Sequence, residues 1–91
     1  MTYDESKRRL NLGKHAIDLA TVDAVFDAPM FTSEDKREGY GEERYASLGW
    51  LRGKVVVLVW TERETGAHYI SCRKAEKHER QAYRQLANQG A

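Results

Sequence analysis

The chain has 91 residues, enough for a single domain over residues 1–91 with a thin core, since a chain this short buries only ~60–65% of its unfolded surface. Charged residues make up 32% and hydrophobic residues 41%, and the formal net charge of +1 excludes a chain whose global charge alone would mark nucleic acid or membrane as its partner. The lone Cys72 excludes an internal disulfide and fits a reducing cytosol, and the polar N-terminal stretch shows no signal peptide, so the expected location is cytoplasmic.

Asp4 to about His15 reads as a polar helix with Asp4 as N-cap, ending around Gly13–His15. Asp18 caps a second helix, Leu19–Asp27. There Ile17 and Val22 have the spacing of a hydrophobic staple, and Leu19, Val22, Val25 and Phe26 form the apolar face. Pro29 ends it by disfavouring helical geometry at Ala28. Met30–Thr32 is a candidate edge strand, and polar Ser33–Glu43, with Gly39 and Gly41, reads as a loop. Arg44–Leu51 alternates, placing Arg44, Ala46, Leu48 and Trp50 on one face and Tyr45, Ser47 and Gly49 on the other. Arg52-Gly53 is a turn. Val55–Trp60 is a continuous β-branched and aromatic run, as expected of a central strand covered on both faces. After a turn at Arg63–Gly66, Ala67–Cys72 forms another strand. Tyr69, Ser71 and Arg73 then share one side, and His68, Ile70 and Cys72 the other. Lys74–Gln89 closes as a helix with a narrow stripe of Ala75, Ala82, Tyr83 and Leu86, and with Glu76 and Arg80 spaced as an i,i+4 pair. The predicted fold class is α+β: two N-terminal helices, a three- to four-stranded antiparallel sheet and a C-terminal helix. The helices are expected on one sheet face, leaving the other open.

Charge is unevenly spread. Residues 67–91 hold five Lys/Arg against two Asp/Glu, whereas the two preceding thirds are each slightly acidic. A positive C-terminal quarter is either a polyanion-binding patch or a solvated basic helix.

Several motifs occur in order: Tyr-Asp-Glu-x-Lys at 3–7, Asn-Leu-x-Lys-His at 11–15, Val-Phe-Asp at 25–27 and Gly-Glu-Glu-Arg-Tyr at 41–45. Gly49, Trp-Thr-Glu-Arg at 60–63 and Ile-Ser-Cys-Arg-Lys-Ala at 70–75 follow, then Glu79, Arg80 and Tyr83. Together, over roughly residues 3–83, they resemble the BrnT family of toxins from type II toxin–antitoxin systems. The resemblance implies a RelE-like ribonuclease fold, metal-independent RNA cleavage that inhibits translation, and no cofactor. It also implies a partner, the antitoxin BrnA, with a ribbon-helix-helix type DNA-binding domain. The complex would repress its own operator DNA, and the thin core of this chain, covered by a dimeric antitoxin, predicts a 2:2 assembly. This sequence departs from the family pattern in three places. Only Met1–Tyr3 stand where members have an N-terminal strand, Lys14-His15-Ala16 replaces Lys-His-Gly, and Ser71-Cys72-Arg73 replaces Ser-Ala-Arg. The last two are small-for-small changes, expected to matter little.

Metal-free RNA cleavage needs a base for the 2′-OH, cations for the pentavalent phosphate and an acid for the leaving 5′ oxygen. Lys7, Asn11 and His15 lie at i, i+4, i+8 and share a helix face, with Lys14 beside them. His15 is either a general acid or base or a helix C-terminal cation. Arg44 begins a strand and Arg73 ends one, so each can clamp a phosphate bidentately or sit in a salt bridge with Glu42, Glu43, Glu62 or Glu79. Glu62 and Arg63 leave the central strand together, as a catalytic carboxylate with its neighbour or as solvated turn residues. Lys7, Lys14, Lys74 and Arg80 are candidate RNA-binding cations. Tyr69 either stacks on a base or packs across strands. His78 reads as surface, and Trp50 and Trp60 as core or antitoxin interface. Three scattered histidines give no metal-binding pattern.

The alternative readings are a non-catalytic module that pairs with a partner in transcriptional repression and a small nucleic-acid-binding protein using the basic last helix.

Overall fold

The computed structural model describes residues 2–36 and 41–89. Gly39, expected in the loop 33–43, lies outside the described residues. The elements in chain order are β1 (Thr2–Tyr3), α1 (Glu5–His15), a 3-10 helix (Leu19–Asp27), β2 (Phe31–Asp35), β3 (Arg44–Leu51), β4 (Lys54–Arg63), β5 (Gly66–Lys74) and α2 (Lys77–Gln89). The sheet is five-stranded and mixed, in the order β1-β5-β4-β3-β2.

The α+β class is as expected, but the strand count is not. The extra strand is β1, two residues that run parallel to β5 with Thr2 opposite His68 and Tyr3 opposite Tyr69. The Thr2 hydroxyl and His68 Nδ1 lie 2.6 Å apart, which anchors this edge. Two residues are too few for any sequence period to show.

The helices lie on both faces, not on one. Val56 and Leu58 point into a cluster with Leu19, Val22 and Val25 of the 3-10 helix, all three fully buried. Val55 and Val57 point the other way, onto Tyr83 of α2. The unbroken apolar run of β4 requires this, because each face needs its own cover. Burying side chains like Leu19 and Val22 stabilises by roughly 1.5–3 kcal/mol each. Gly49 lets the 3-10 helix approach β3, since a Cβ there would collide with the Val25 side chain.

The Leu19–Asp27 boundaries are as expected. The Asp18 carboxylate accepts from Ala20 N–H at 2.9 Å, and Ile17 joins Val22 in the core as a staple. Asp4 flanks α1 without a side-chain capping bond. β2 extends through Asp35, so residues 33–35, expected as loop, pair with Arg44–Ala46 of β3. Arg52 and Gly53 turn with positive φ at both positions (46° and 82°), the geometry of a two-residue type I′ hairpin.

The face assignment of β5 is corrected by a bulge. Val59 pairs with Ser71, but Trp60 pairs with Tyr69, so Ile70 is the extra residue. Tyr69 therefore joins Cys72 in the core, while Ser71 and Arg73 keep the opposite face. β5 also runs on to Lys74, and the Ala75 N–H still bonds to the Val55 carbonyl at 3.0 Å. Lys74 is thus not on the final helix, which starts at Lys77. Arg80 Nη1 donates to the Ala75 carbonyl at 2.9 Å, in place of the expected pairing with Glu76.

Candidate active site

α1 is fixed to β5 by one buried amide. Asn11 Nδ2 donates to the carbonyls of Ile17 (2.8 Å) and Cys72 (2.9 Å), and Asn11 Oδ1 accepts from Cys72 N–H at 2.9 Å. Arg8 closes the other side of the helix onto Asp18 at 2.8 Å. These contacts hold the helix face carrying Lys7, Asn11 and His15 over the sheet.

Beside that face lies a cleft of about 340 Å³. Lys7, Lys14 and His15 line it from α1, Arg44 from β3, and Val59 and Ser71 from the sheet floor. Four sequence-derived candidates, Lys7, Lys14, His15 and Arg44, thus converge. No carboxylate lines the cleft among the described residues. The half-buried His15 imidazole is held below its ordinary pKa by burial first, then by the charges of Lys14 and Arg73. A histidine so placed is mostly neutral at pH 7 and can accept a proton.

Arg73 reaches this cleft through its charge, but its guanidinium is engaged. Nη1 and Nη2 donate to Glu79 Oε1 and Oε2 at 2.8 and 2.9 Å, a bidentate pair. Glu79 also accepts from Glu76 N–H at 2.8 Å, which fixes it at the start of α2. The pair holds the Glu79 carboxyl below its usual range and pushes the Arg73 guanidinium up. While it stands, Arg73 cannot clamp a phosphate with both terminal nitrogens.

The remaining candidates lie elsewhere. Glu62, opposite Ala67, falls on the face of the 3-10 helix. Arg63 pairs with Glu42 at 3.0 Å at the strand end. Tyr69 is buried, with 2% exposure, and its hydroxyl bonds to the Asp23 carboxylate, so its ring is core and not open to a base. Burial, with Asp23, pushes its hydroxyl pKa well up. Lys74 and Arg80 line a separate groove with Trp50 and Tyr83. His78 is exposed, as expected. Trp60 packs edge-on against Phe26, whereas Trp50 is 43% exposed.

Two roles were hidden from the sequence. Asn11 shared the right helix face but gave no sign of pairing with a strand backbone. Ser71 reaches the cleft because the Ile70 bulge leaves it on the floor with Val59.

Among the described residues no group of three or more potential ligands could hold a metal ion, and no helix is long and apolar enough to cross a membrane. A family model described as "Ribonuclease toxin, BrnT, of type II toxin-antitoxin system" matches residues 3–79. No curated protein matches the chain significantly.

Proposed function

The chain belongs to the BrnT family of type II toxin–antitoxin ribonuclease toxins, and on that footing we propose that it cuts RNA without a metal ion in the cleft between α1 and β5. The observation that carries this reading is the convergence of Lys7, Lys14, Arg44 and a neutral-leaning His15 on one cleft. His15 takes the proton of the attacking 2′-OH, the 2′ oxygen bonds to phosphorus, and the P–O5′ bond breaks as the 5′ oxygen takes a proton from water. Arg44, Lys14 and Lys7 stabilise the phosphate as its charge rises. Arg73 contributes its field and, after burial and Lys14, lowers the basicity of His15. Cations in place of carboxylates suit a phosphate and disfavour a divalent metal. Glu62, Arg63 and Tyr69 have no part in this mechanism.

A type II toxin works against an antitoxin. We propose a BrnA-like partner in a 2:2 assembly that covers the cleft and represses its own operator. Leu10 and Leu12 on α1 are 67% and 45% exposed, and β2 is a sheet edge, which leaves apolar surface and open backbone for a partner to cover. A cytoplasmic location follows from the same reading.

The test is expression of the chain alone and with the neighbouring gene's product. Growth arrest and RNA cut to 2′,3′-cyclic phosphate ends in EDTA, both relieved by the partner, are expected. Intact RNA with folded protein, or cleavage abolished by EDTA, overturns the mechanism.

A further inference from the structure

Arg73 and Lys74 are chain neighbours with different surroundings. Arg73 is paired with Glu79 and acts on His15 only through its charge, while Lys74 lines a groove of about 430 Å³ between α2 and the β3–β4 turn. Resting on the ribonuclease reading, we propose that this groove is an RNA subsite in which an unstacked base lies on Trp50 and flanking phosphates meet Lys54, Lys74 and Arg84.

The ring of Trp50 is exposed, and Tyr83 lies nearly parallel to it, at 18° and 6.4 Å between centroids. Tyr83 is itself buried against Val55 and Val57 and donates its hydroxyl to the Pro29 carbonyl at 2.8 Å, so this support is rigid. A pre-ordered aromatic face is what a single-stranded base uses, whatever its sequence. Four cations surround it: Lys54, Lys74, Arg80 and Arg84. No carboxylate lines the groove among the described residues. Arg80 is held at the wall by the Ala75 carbonyl.

A polyanion fits better here than an acidic peptide. β2 pairs with β3 only as far as Leu48, so beside this groove the open strand edge is the three residues Gly49–Leu51. A peptide would find too little backbone there to add a strand. A nucleic acid strand needs none, and its repeating charge can run from the His15 cleft past Arg73 and Lys74 into the groove.

The probe is a fluorescein-labelled 2′-O-methyl dodecaribonucleotide of mixed sequence, which binds but lacks the attacking 2′-OH. Trp50→Ala is expected to weaken binding about 5- to 150-fold, the range for one lost base stack, and Trp50→Phe to restore most of it. Arg84→Ala and Lys54→Ala should each lower the slope of log Kd against log salt by about 0.7. Circular dichroism confirms the fold of each variant. Binding of Trp50→Ala within twofold of wild type overturns the proposal. So does displacement of the oligonucleotide from Trp50 by a Glu/Leu dodecapeptide at lower concentration, which would assign the groove to a protein partner. RNA cleavage by the wild-type chain is measured alongside. Cleavage with unaltered Trp50→Ala binding removes only the subsite, whereas Trp50-dependent binding without cleavage removes only the ribonuclease reading.

Discussion

The Asn11 side chain mimics a strand neighbour to Cys72, accepting from its N–H and donating to its carbonyl, both at 2.9 Å. β5 is thereby paired by a helix side chain where β1 has already ended. The same amide also holds Ile17, so one residue sets helix, connection and strand.

Asn11→Ala should therefore destabilise the fold by about 2–4 kcal/mol, since it leaves buried backbone groups unpaired. Thermal unfolding would show a Tm at least 8 °C lower, at about 4–8 °C per kcal/mol for a domain of this size. Asn11→Asp should be no better, because a carboxylate cannot donate to the two carbonyls. A Tm within 2 °C of wild type would show that water replaces the amide.

Ala16 closes α1 in the left-handed region, φ 58°, with its N–H on the Leu12 carbonyl at 3.0 Å. The BrnT pattern has glycine here, and the change to alanine is not neutral in this geometry. A Cβ in this conformation costs about 1 kcal/mol relative to glycine. Ala16→Gly should raise the Tm by about 4–8 °C, with His15 left in place. No rise in calorimetry would mean the unfolded-state entropy of glycine cancels the relief.

The elements that strong local signals define were legible: the Asp18-capped helix, the alternating β3 and the apolar β4. The cleft was legible only through helix periodicity, which put Lys7 and His15 on one face. Arg44 could not be joined to them without the strand order. Tyr69 was misassigned because alternation along β5 breaks at Ile70, and a bulge carries no residue signature there. Of the two readings of Trp50, core or antitoxin interface, the core one fails, because its position one residue before Leu51 and the Arg52–Gly53 turn leaves it exposed at the sheet margin.

His15 should act as the base in its neutral form, so the acidic limb of the rate profile should lie below pH 6.5, on the sign of its shift. Removing the Arg73 charge raises the His15 pKa. Arg73→Ala should then move that limb to higher pH, as well as slowing cleavage at pH 7. Arg44→Ala should lower kcat by ~10²–10³ without moving the limb, as the loss of a charge-stabilising donor does. The linkage has the same sign in stability. With its folded pKa depressed, His15 stabilises the fold above the unfolded value of about 6.5, and that contribution is lost as pH falls through the folded value. An unmoved limb in Arg73→Ala would show that burial and Lys14 set His15 without Arg73.

Glu79 decides how much of the Arg73 charge the cleft receives. Its carboxylate neutralises Arg73 through both terminal nitrogens and also caps the Glu76 N–H. Glu79→Gln keeps an acceptor for that N–H but releases the guanidinium. The stability cost should be about 1 kcal/mol or less, because Arg73 is partly exposed and solvent screens the pair. The freed charge adds attraction for substrate phosphate, and Arg73 becomes able to touch it. KM for RNA should therefore fall several-fold while kcat stays within about threefold of wild type. The His15 limb should move further to acid, opposite to Arg73→Ala, because an unneutralised cation now faces the imidazole. A kcat loss of tenfold or more with KM unchanged would show the reverse relationship, in which Glu79 presents Arg73 in its working orientation and the ion pair is part of the site.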